Sequence, residues 1–215
     1  MTPEGTEPHR MANSRSYLIM RAETEEALKL TDAWWEEKRA PGYVRIQPLD
    51  LKEIEDFVDL YNRCFLASPD PFCPLTSEEA RRLDSEGIFV ARFAGKLSGF
   101  IACFVEKQTE PIYGEITGIG VTPNRRRKGI ATALIKRATQ YFLDAGVDDV
   151  YCEVYGENIP SQMLIMAYGF KEVGRREMPL SVPVGPEAVG ELPSGKIMRR
   201  LGLRPRAGYE TCRDI

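Results

Sequence analysis

The 215-residue sequence predicts an α/β (α+β) fold, in which helices flank a central sheet. From Tyr43 onward, short stretches rich in β-branched and aromatic residues alternate with stretches whose apolar residues recur at helical spacing. The hydrophobic fraction of 43% is sufficient for one medium core. The longest apolar stretch, residues 87–106, is broken by Arg92 and Lys96, so it is too short for a membrane helix. We therefore expect a soluble protein with one main domain and an appendage.

The composition argues against several functional classes. A formal net charge of −3 argues against a general nucleic-acid coat, which needs widespread positive charge. The only histidine is His9, so a zinc site and Ser-His or Cys-His catalysis are not expected. No Cys-x-x-Cys pair occurs, and a Cys64–Cys73 disulfide is not expected in a reducing cytosol. Because the N-terminus has no apolar signal core, we expect a cytoplasmic protein.

The first 42 residues are predicted to be an N-terminal extension. Residues 1–15 are polar and predict a disordered leader, and residues 16–22 are consistent with a short strand. Residues 23–40 predict an amphipathic helix with acidic residues early and basic residues late, which Pro41 and Gly42 terminate. Trp34 and Trp35 are expected to pack this helix on the main domain. We assign the main domain to residues 43–201 and a C-terminal tail to residues 202–215.

The first half of the main domain predicts strands and two helices. A strand at 43–49, a helix at 51–65, a short helix at 76–84, two hairpin-linked strands at 87–93 and 97–106, and a fourth strand at 113–123 follow one another. A Thr76 side chain is expected to cap the short helix. The fourth strand contains Gly118 and Gly120, which indicate a bulge or a close approach by another group.

The second half continues the alternation. Apolar residues on one face predict a helix from residue 130 that Gly146 ends. A buried strand at 149–156, a helix at 160–170 and two last strands at 171–178 and 195–201 follow. The Pro/Gly-rich loop between the last two strands is of a kind often found near binding sites.

The basic run Arg125–Lys128 directly precedes Gly129 and the helix that begins at Ile130. A strand that turns into a helix here leaves backbone N–H groups unpaired along the positive end of the helix dipole, which favours phosphate. The glycine lets a ligand approach the backbone, and Arg127 and Lys128 can add cationic contacts. Neither the P-loop nor the Gly-x-Gly-x-x-Gly pattern is present, so a phosphorylated ligand of another kind is expected. The alternative is a solvated charge run.

The run Arg126-Arg127-Lys128-Gly129-Ile130-Ala131 resembles the pyrophosphate motif of the GNAT superfamily of acetyl-CoA-dependent N-acetyltransferases. The preceding "ITGIGVTP" is similar to the family's fourth strand. "VYCEVYGENIPSQMLIMAYGF" is similar to its fifth strand and following helix, with Asn158, Gly169 and Phe170 in register. The similarity covers roughly residues 43–201.

This resemblance implies a mixed, mostly antiparallel sheet of about six to seven strands, splayed between the strands at 115–121 and 150–154. It implies acetyl-CoA as cosubstrate, with the pantetheine arm in the splay, and no metal. The implied cofactor-binding residues are Ile119, Gly120, Val121, Arg126, Arg127, Lys128, Gly129, Ile130, Ala131, Thr132, Asn158 and Ser161.

Two glutamates are candidates for the base that a protonated amine with a pKa of about 10.4 needs. Glu115 matches the position of the base in the histone-acetyltransferase branch, and Glu153 that in ribosomal-protein N-terminal acetyltransferases. The alternatives are that Glu115 is a strand-edge carboxylate facing water and that Glu153 only partners an arginine. The N–H of Ile119 is implied as the oxyanion donor, which makes it the third catalytic candidate.

The sequence departs from the family at Ile165, where a tyrosine usually protonates the leaving thiolate. Tyr168 lies one helical turn further on and is expected to be a packing residue. A thiol with a pKa of about 8.5 can leave without a dedicated acid, so activity is compatible with this change. The alternatives are a slower reaction or protonation by Tyr168, Tyr155 or water.

The expected function is transfer of an acetyl group to a primary amine, on a peptide N-terminus or lysine or on a small molecule. A non-catalytic acyl-CoA-binding sensor is the alternative, and nucleic-acid binding through Arg125–Lys128 is a third hypothesis. The expected partner is therefore a protein, peptide or small-molecule amine, without nucleic acid or membrane. A homodimer is considered as an oligomeric state.

Overall fold

The computed structural model of the protein describes residues 14–37, 42–69, 74–82 and 85–179. Its elements are β1 (Ser14–Glu23), α1 (Thr24–Glu37), β2 (Val44–Pro48), a 3-10 turn (Leu51–Glu53), α2 (Ile54–Leu66), α3 (Ser77–Ala80), β3 (Ile88–Phe93), β4 (Lys96–Glu106), β5 (Tyr113–Val121), a 3-10 turn (Pro123–Arg125), α4 (Ile130–Asp144), β6 (Asp149–Tyr155), α5 (Ile159–Met166) and β7 (Lys171–Pro179). Within these ranges, no helix is both long and apolar enough to cross a membrane.

The seven strands form one sheet in the order β2-β3-β4-β5-β6-β1-β7. The pairing of β5 with β6 is parallel, and the other five pairings are antiparallel. The predicted mixed, mostly antiparallel sheet flanked by helices is therefore confirmed.

The strands β5 and β6 separate along their length. They pair only from Tyr113 opposite Asp149 to Ile116 opposite Cys152. Beyond this point β5 continues on β4 to Val121, and β6 continues on β1 to Tyr155. The result is a wedge-shaped gap, called the cleft below, between the two strands for which the resemblance implied a splay.

Strand β1 lies inside the sheet, between β6 and β7. Its side chains Tyr17 and Met20 are both 1% exposed. The sequence predicted a strand here but not its neighbours, because its partners lie more than 120 residues away. The expected boundary at residue 42 falls between α1 and β2. The leader up to residue 13, the expected last strand at 195–201 and the tail at 202–215 lie outside the described residues.

The helices cover both faces of the sheet. On one face, α4 contributes the fully buried Leu134 and Phe142 to a core shared with α1 and α5. On the other face, α2 packs Phe57 and Leu60 against β3 and β4. A Cβ atom on Gly114 of β5 would lie 2.6 Å from the Phe142 ring, so the close approach of α4 requires glycine there.

Helix α1 packs on α4 and α5. The Trp34 indole Nε1 donates to the carbonyl oxygen of Ala167 at 2.9 Å. The Lys136 ammonium pairs with Asp32 at 2.5 Å and lies 5.6 Å from the Trp35 ring. These contacts agree with the expectation that both tryptophans pack α1 on the main domain.

Candidate functional site

The edge of β5 that borders the cleft is formed by the backbone of Ile119 and Val121. The next amide, that of Thr122, donates to Ser98 on the β4 side at 2.9 Å. Because the peptide groups of successive strand residues alternate in direction, Gly120 also directs its groups to β4, whereas Ile119 and Val121 direct theirs into the cleft. The Val121 carbonyl accepts a bond from Arg126 Nε at 3.1 Å.

The glycine-rich part of β5 contains both predicted features. The register of β4 and β5 shifts between Ala102 and Cys103, so Thr117 is an extra residue in a β-bulge. A Cβ atom on Gly120 would lie 2.7 Å from the Phe100 ring and 2.8 Å from Cys64 Cβ. The group that approaches Gly120 is therefore α2, and packing explains the glycine at this position.

Burial protects the thiol that packs against Gly120. Cys64 is 4% exposed and free, and burial raises its pKa to about 12. Cys73, its potential disulfide partner, lies outside the described residues.

The N-terminus of α4 has no side-chain cap. Its N-cap is Gly129, with a left-handed φ of 71°. The Ala133 amide donates to the Gly129 carbonyl, which is the first hydrogen bond of the helix. The amides of Ile130, Ala131 and Thr132 precede this bond and have no partner within the helix. Arg127 also has a positive φ, 63°, which is uncommon for a side chain-bearing residue.

The four cations of the basic run take different positions. Arg126 contacts the Val121 carbonyl, and Arg127 is exposed. The guanidinium of Arg125 and the ammonium of Lys128 both lie over the Phe93 ring, at 4.1 and 5.4 Å from its centroid. Among the described residues, none of the four forms an ion pair with a carboxylate.

Thr132 is tied to the end of α5. The Tyr168 hydroxyl donates to Thr132 Oγ1 at 2.7 Å, and both side chains are buried. Burial raises the pKa of Tyr168, although its bond to Thr132 opposes the shift. As expected, Tyr168 packs in the core. Ile165, one turn earlier, is 3% exposed in the same core.

Asn158 joins the two sides of the cleft. It is the N-cap of α5, where its Oδ1 accepts from the Ser161 amide at 3.1 Å. Its Nδ2 donates to Ser68 Oγ at 3.2 Å. Ser68 follows α2 on the β5 side, whereas Asn158 follows β6. No local sequence pattern indicates this contact, because the two residues are 90 positions apart.

A groove of about 380 Å³ lies beside this contact, lined by Arg63, Leu66, Ala67, Pro123 and Asn124. It separates the end of α2 from the turn at 123–125. Leu66 is 77% exposed. The groove lies at the C-terminal end of α2, which packs on the face of the sheet opposite α4.

Glu115 and Glu153 lie on the same face of the sheet, opposite α4. Their neighbours Ile116 and Cys152 point into the core shared with α4, and side chains alternate along a strand. Ile116 and Cys152 are also the last paired residues of β5 and β6. The two carboxylates therefore flank the point where the cleft begins, and Glu115 is buried with 8% exposure.

Glu153 makes an ion pair with Arg176 of β7, 2.5 Å from Oε2 to Nη2. The Arg176 guanidinium also lies 5.4 Å from the Tyr17 ring. This geometry fits the alternative in which Glu153 partners an arginine. Within the described ranges, no three Asp, Glu, His or Cys side chains lie close enough together to hold a metal ion.

A family model described as "Acetyltransferase (GNAT) family" matches residues 54–170, which is more than half of the chain. An uncharacterized N-acetyltransferase of Methanocaldococcus jannaschii is 30% identical over 130 residues, covering 56% of this chain and 57% of that protein. A mycothiol acetyltransferase of Saccharomonospora viridis is 26% identical over 175 residues, covering 76% and 55%. The chain thus spans about half the length of these curated relatives.

Two solved structures share the fold. A GCN5-related N-acetyltransferase from Sphaerobacter thermophilus superposes with a TM-score of 0.55 at 16% identity, covering 79% of this chain and 54% of that one. The ribosomal-protein-S18-alanine N-acetyltransferase from Escherichia coli gives 0.52 at 18% identity, covering 65% and 95%.

Proposed function

We propose that this chain, which belongs to the acetyltransferase (GNAT) family, transfers an acetyl group from acetyl-CoA to a primary amine. The observation that carries the proposal is the cleft between β5 and β6, which opens beside the uncapped N-terminus of α4. A thioester arm needs backbone partners along an open strand edge, and a pyrophosphate needs unpaired amides. This chain has an open strand edge and unpaired amides next to each other.

The residues present fit coenzyme A. The left-handed Gly129 leaves the first-turn amides open to a phosphate, and no side chain competes for them. We assign the amides of residues 127–132 and the side chains of Arg126 and Arg127 to the pyrophosphate. We assign the backbone of Ile119 and Val121 to the pantetheine amides, and Asn158 and Ser161 to the outer part of the arm. When bound, acetyl-CoA supplies the acyl group as an activated thioester.

Glu115 is our candidate for the base. It is buried at the start of the cleft, and a carboxylate there can take a proton from an incoming ammonium group directly or through water. Glu153 is the weaker candidate because Arg176 holds one of its oxygens. The N–H of Ile119 is the candidate donor to the thioester carbonyl oxygen, since its direction into the cleft is fixed before any substrate arrives.

One observation favours the second candidate function, a non-catalytic acyl-CoA sensor. Ile165 has no proton to donate, and the Tyr168 hydroxyl is buried against Thr132. Neither side chain supplies an acid for the thiolate. Transfer remains chemically reasonable because a thiolate of a thiol with a pKa of about 8.5 is a good leaving group. Turnover with any amine decides between the two functions.

The acceptor is proposed at the level of a primary amine. The mycothiol acetyltransferase relatives support including small-molecule amines, and the alanine N-acetyltransferase suggests peptide N-termini as the second group to test. The groove at Leu66 and Ala67 is the proposed approach for the acceptor, since it lies at the end of α2, on the face of the sheet that carries both glutamates.

The test is acetyl-CoA binding by calorimetry, followed by thiol release with a panel of peptides and small amines. Amine-dependent thiol release supports the transferase. Tight binding without release for any amine favours the sensor. Absence of acetyl-CoA binding by the folded chain contradicts both.

A further inference from the structure

Two cations of the basic run are held over one aromatic ring. Arg125 Cζ lies 4.1 Å and Lys128 Nζ 5.4 Å from the Phe93 centroid. The ring itself is 8% exposed and is fixed by Tyr43, which packs edge-on against it with centroids 4.7 Å apart. Both positive charges therefore contact one largely buried aromatic ring.

Neither of these charges is neutralised by an ion pair. No carboxylate within the described ranges pairs with Arg125 or Lys128. Stacking uses the face of the Arg125 guanidinium and leaves its in-plane N–H donors available. The cluster of Arg125, Lys128 and Phe93 thus presents two positive charges and N–H donors that suit an anionic group.

The cluster lies next to the N-terminus of α4 but on the side away from the cleft. Phe93 ends β3 and belongs to the core face that α4 covers. Strand β4 separates β3 from β5 in the sheet. The first-turn amides and the Phe93 cluster are therefore neighbours, and each is suited to an anion.

We propose that Arg125 and Lys128 bind the 3′-phosphate of the coenzyme A nucleotide. This inference rests on the proposed function. Coenzyme A carries a pyrophosphate and, one ribose away, a separate phosphate monoester, which matches two adjacent anion sites. Arg126 and Arg127 then serve the pyrophosphate, and Lys128, expected from the sequence at the pyrophosphate, serves the 3′-phosphate instead.

The test compares the binding of CoA with that of 3′-dephospho-CoA by calorimetry on the full chain. The wild type is expected to bind CoA more tightly. Arg125→Met and Lys128→Met, which keep the aliphatic stem, should each weaken CoA binding by about tenfold and leave 3′-dephospho-CoA binding nearly unchanged.

Arg137→Met is the matched control. Its guanidinium also lies 4.1 Å from a ring, that of Phe89, but further along α4. This variant should keep the preference for CoA, and melting curves of all three variants check folding. Equal binding of the two ligands by the wild type, or equal losses for both ligands in Arg125→Met and Lys128→Met, would overturn the inference alone. A wild type that binds neither ligand would overturn the proposed function as well.

Discussion

Arg176 of β7 holds Glu153 of β6 in an ion pair of 2.5 Å, whereas Glu115 lies on the neighbouring strand at the opening of the cleft. The ion pair occupies one Glu153 oxygen and keeps that carboxylate turned toward β7. Two glutamates that the sequence made equal candidates for the base are therefore different in the folded chain. The difference can be measured.

We expect Glu115→Gln to lower kcat/KM by roughly 10²-fold or more and to remove the acidic limb of the pH–rate profile. Acetyl-CoA affinity should remain nearly intact, because the carboxylate lies away from the phosphate-binding amides. Glu153→Gln should cost much less activity but lower the melting temperature, since it leaves Arg176 without its charged partner. Steady-state kinetics and melting curves check both. The reverse pattern would make Glu153 the base.

Gly129→Glu should abolish acetyl-CoA binding, because a carboxylate at the N-cap of α4 would occupy and repel the pyrophosphate. Gly146→Glu is the matched control: its φ of 70° nearly equals the 71° of Gly129, and it lies just after the other end of α4. Both variants carry similar backbone strain, about 1–2 kcal/mol. Calorimetry on both, once shown to be folded, should detect binding in the control alone. Equal affinity in the two variants would refute the phosphate site.

Tyr168→Phe should lower stability by about 1 kcal/mol, since it removes a buried hydrogen bond to Thr132. For a chain of this size that corresponds to roughly 2–4 °C in Tm. We expect kcat to stay within a factor of about two, because the hydroxyl is buried in the core and bonded to Thr132. A tenfold or larger fall in kcat with an unchanged Tm would identify Tyr168 as the acid that protonates the thiolate.

Ile165→Tyr should destabilise the protein by about 1–3 kcal/mol and leave kcat without a gain. The family resemblance alone makes tyrosine an attractive replacement. Ile165 is 3% exposed, however, so a larger side chain must displace its core neighbours. Thermal unfolding and turnover of the variant check this. A stable variant with a raised kcat would show that the ring reaches the cleft.

The sequence predicted those parts of the site that depend on neighbouring residues. A helix that starts after Gly129, a hairpin turn between β3 and β4, and a bulge or close approach at Gly118 and Gly120 follow from glycine positions within a few residues, and the structure contains them. Contacts between residues that are far apart in the chain are not indicated by any pattern of neighbouring residues. The insertion of β1 between β6 and β7 and the Glu153–Arg176 pair depend on how the strands are ordered in the sheet. The position of Phe93 under Arg125 likewise depends on α4 crossing β3.

The last prediction concerns Ser68 and Asn158, which meet across the cleft. Asn158 Nδ2 donates to Ser68 Oγ, yet we assign the same amide to the cofactor arm. The Asn158 amide nitrogen has two N–H donors, and the bond to Ser68 uses one of them and restrains the direction of the other. Ser68→Ala should strengthen acetyl-CoA binding a few-fold, because it frees the amide to turn toward the cofactor arm.

Asn158→Ala should do the opposite. It removes both the donor and the Oδ1 cap on the Ser161 amide, so acetyl-CoA affinity should fall and stability should decrease by about 1 kcal/mol. Asn158→Asp separates the two effects, because aspartate keeps the cap and lacks the Nδ2 donor. Weakened binding in Asn158→Asp, with a Tm near that of the wild type, would assign the amide to the cofactor. If Ser68→Ala instead weakens binding as much as Asn158→Asp does, then the Ser68–Asn158 bond supports the bound state, and the two groups hold the arm together.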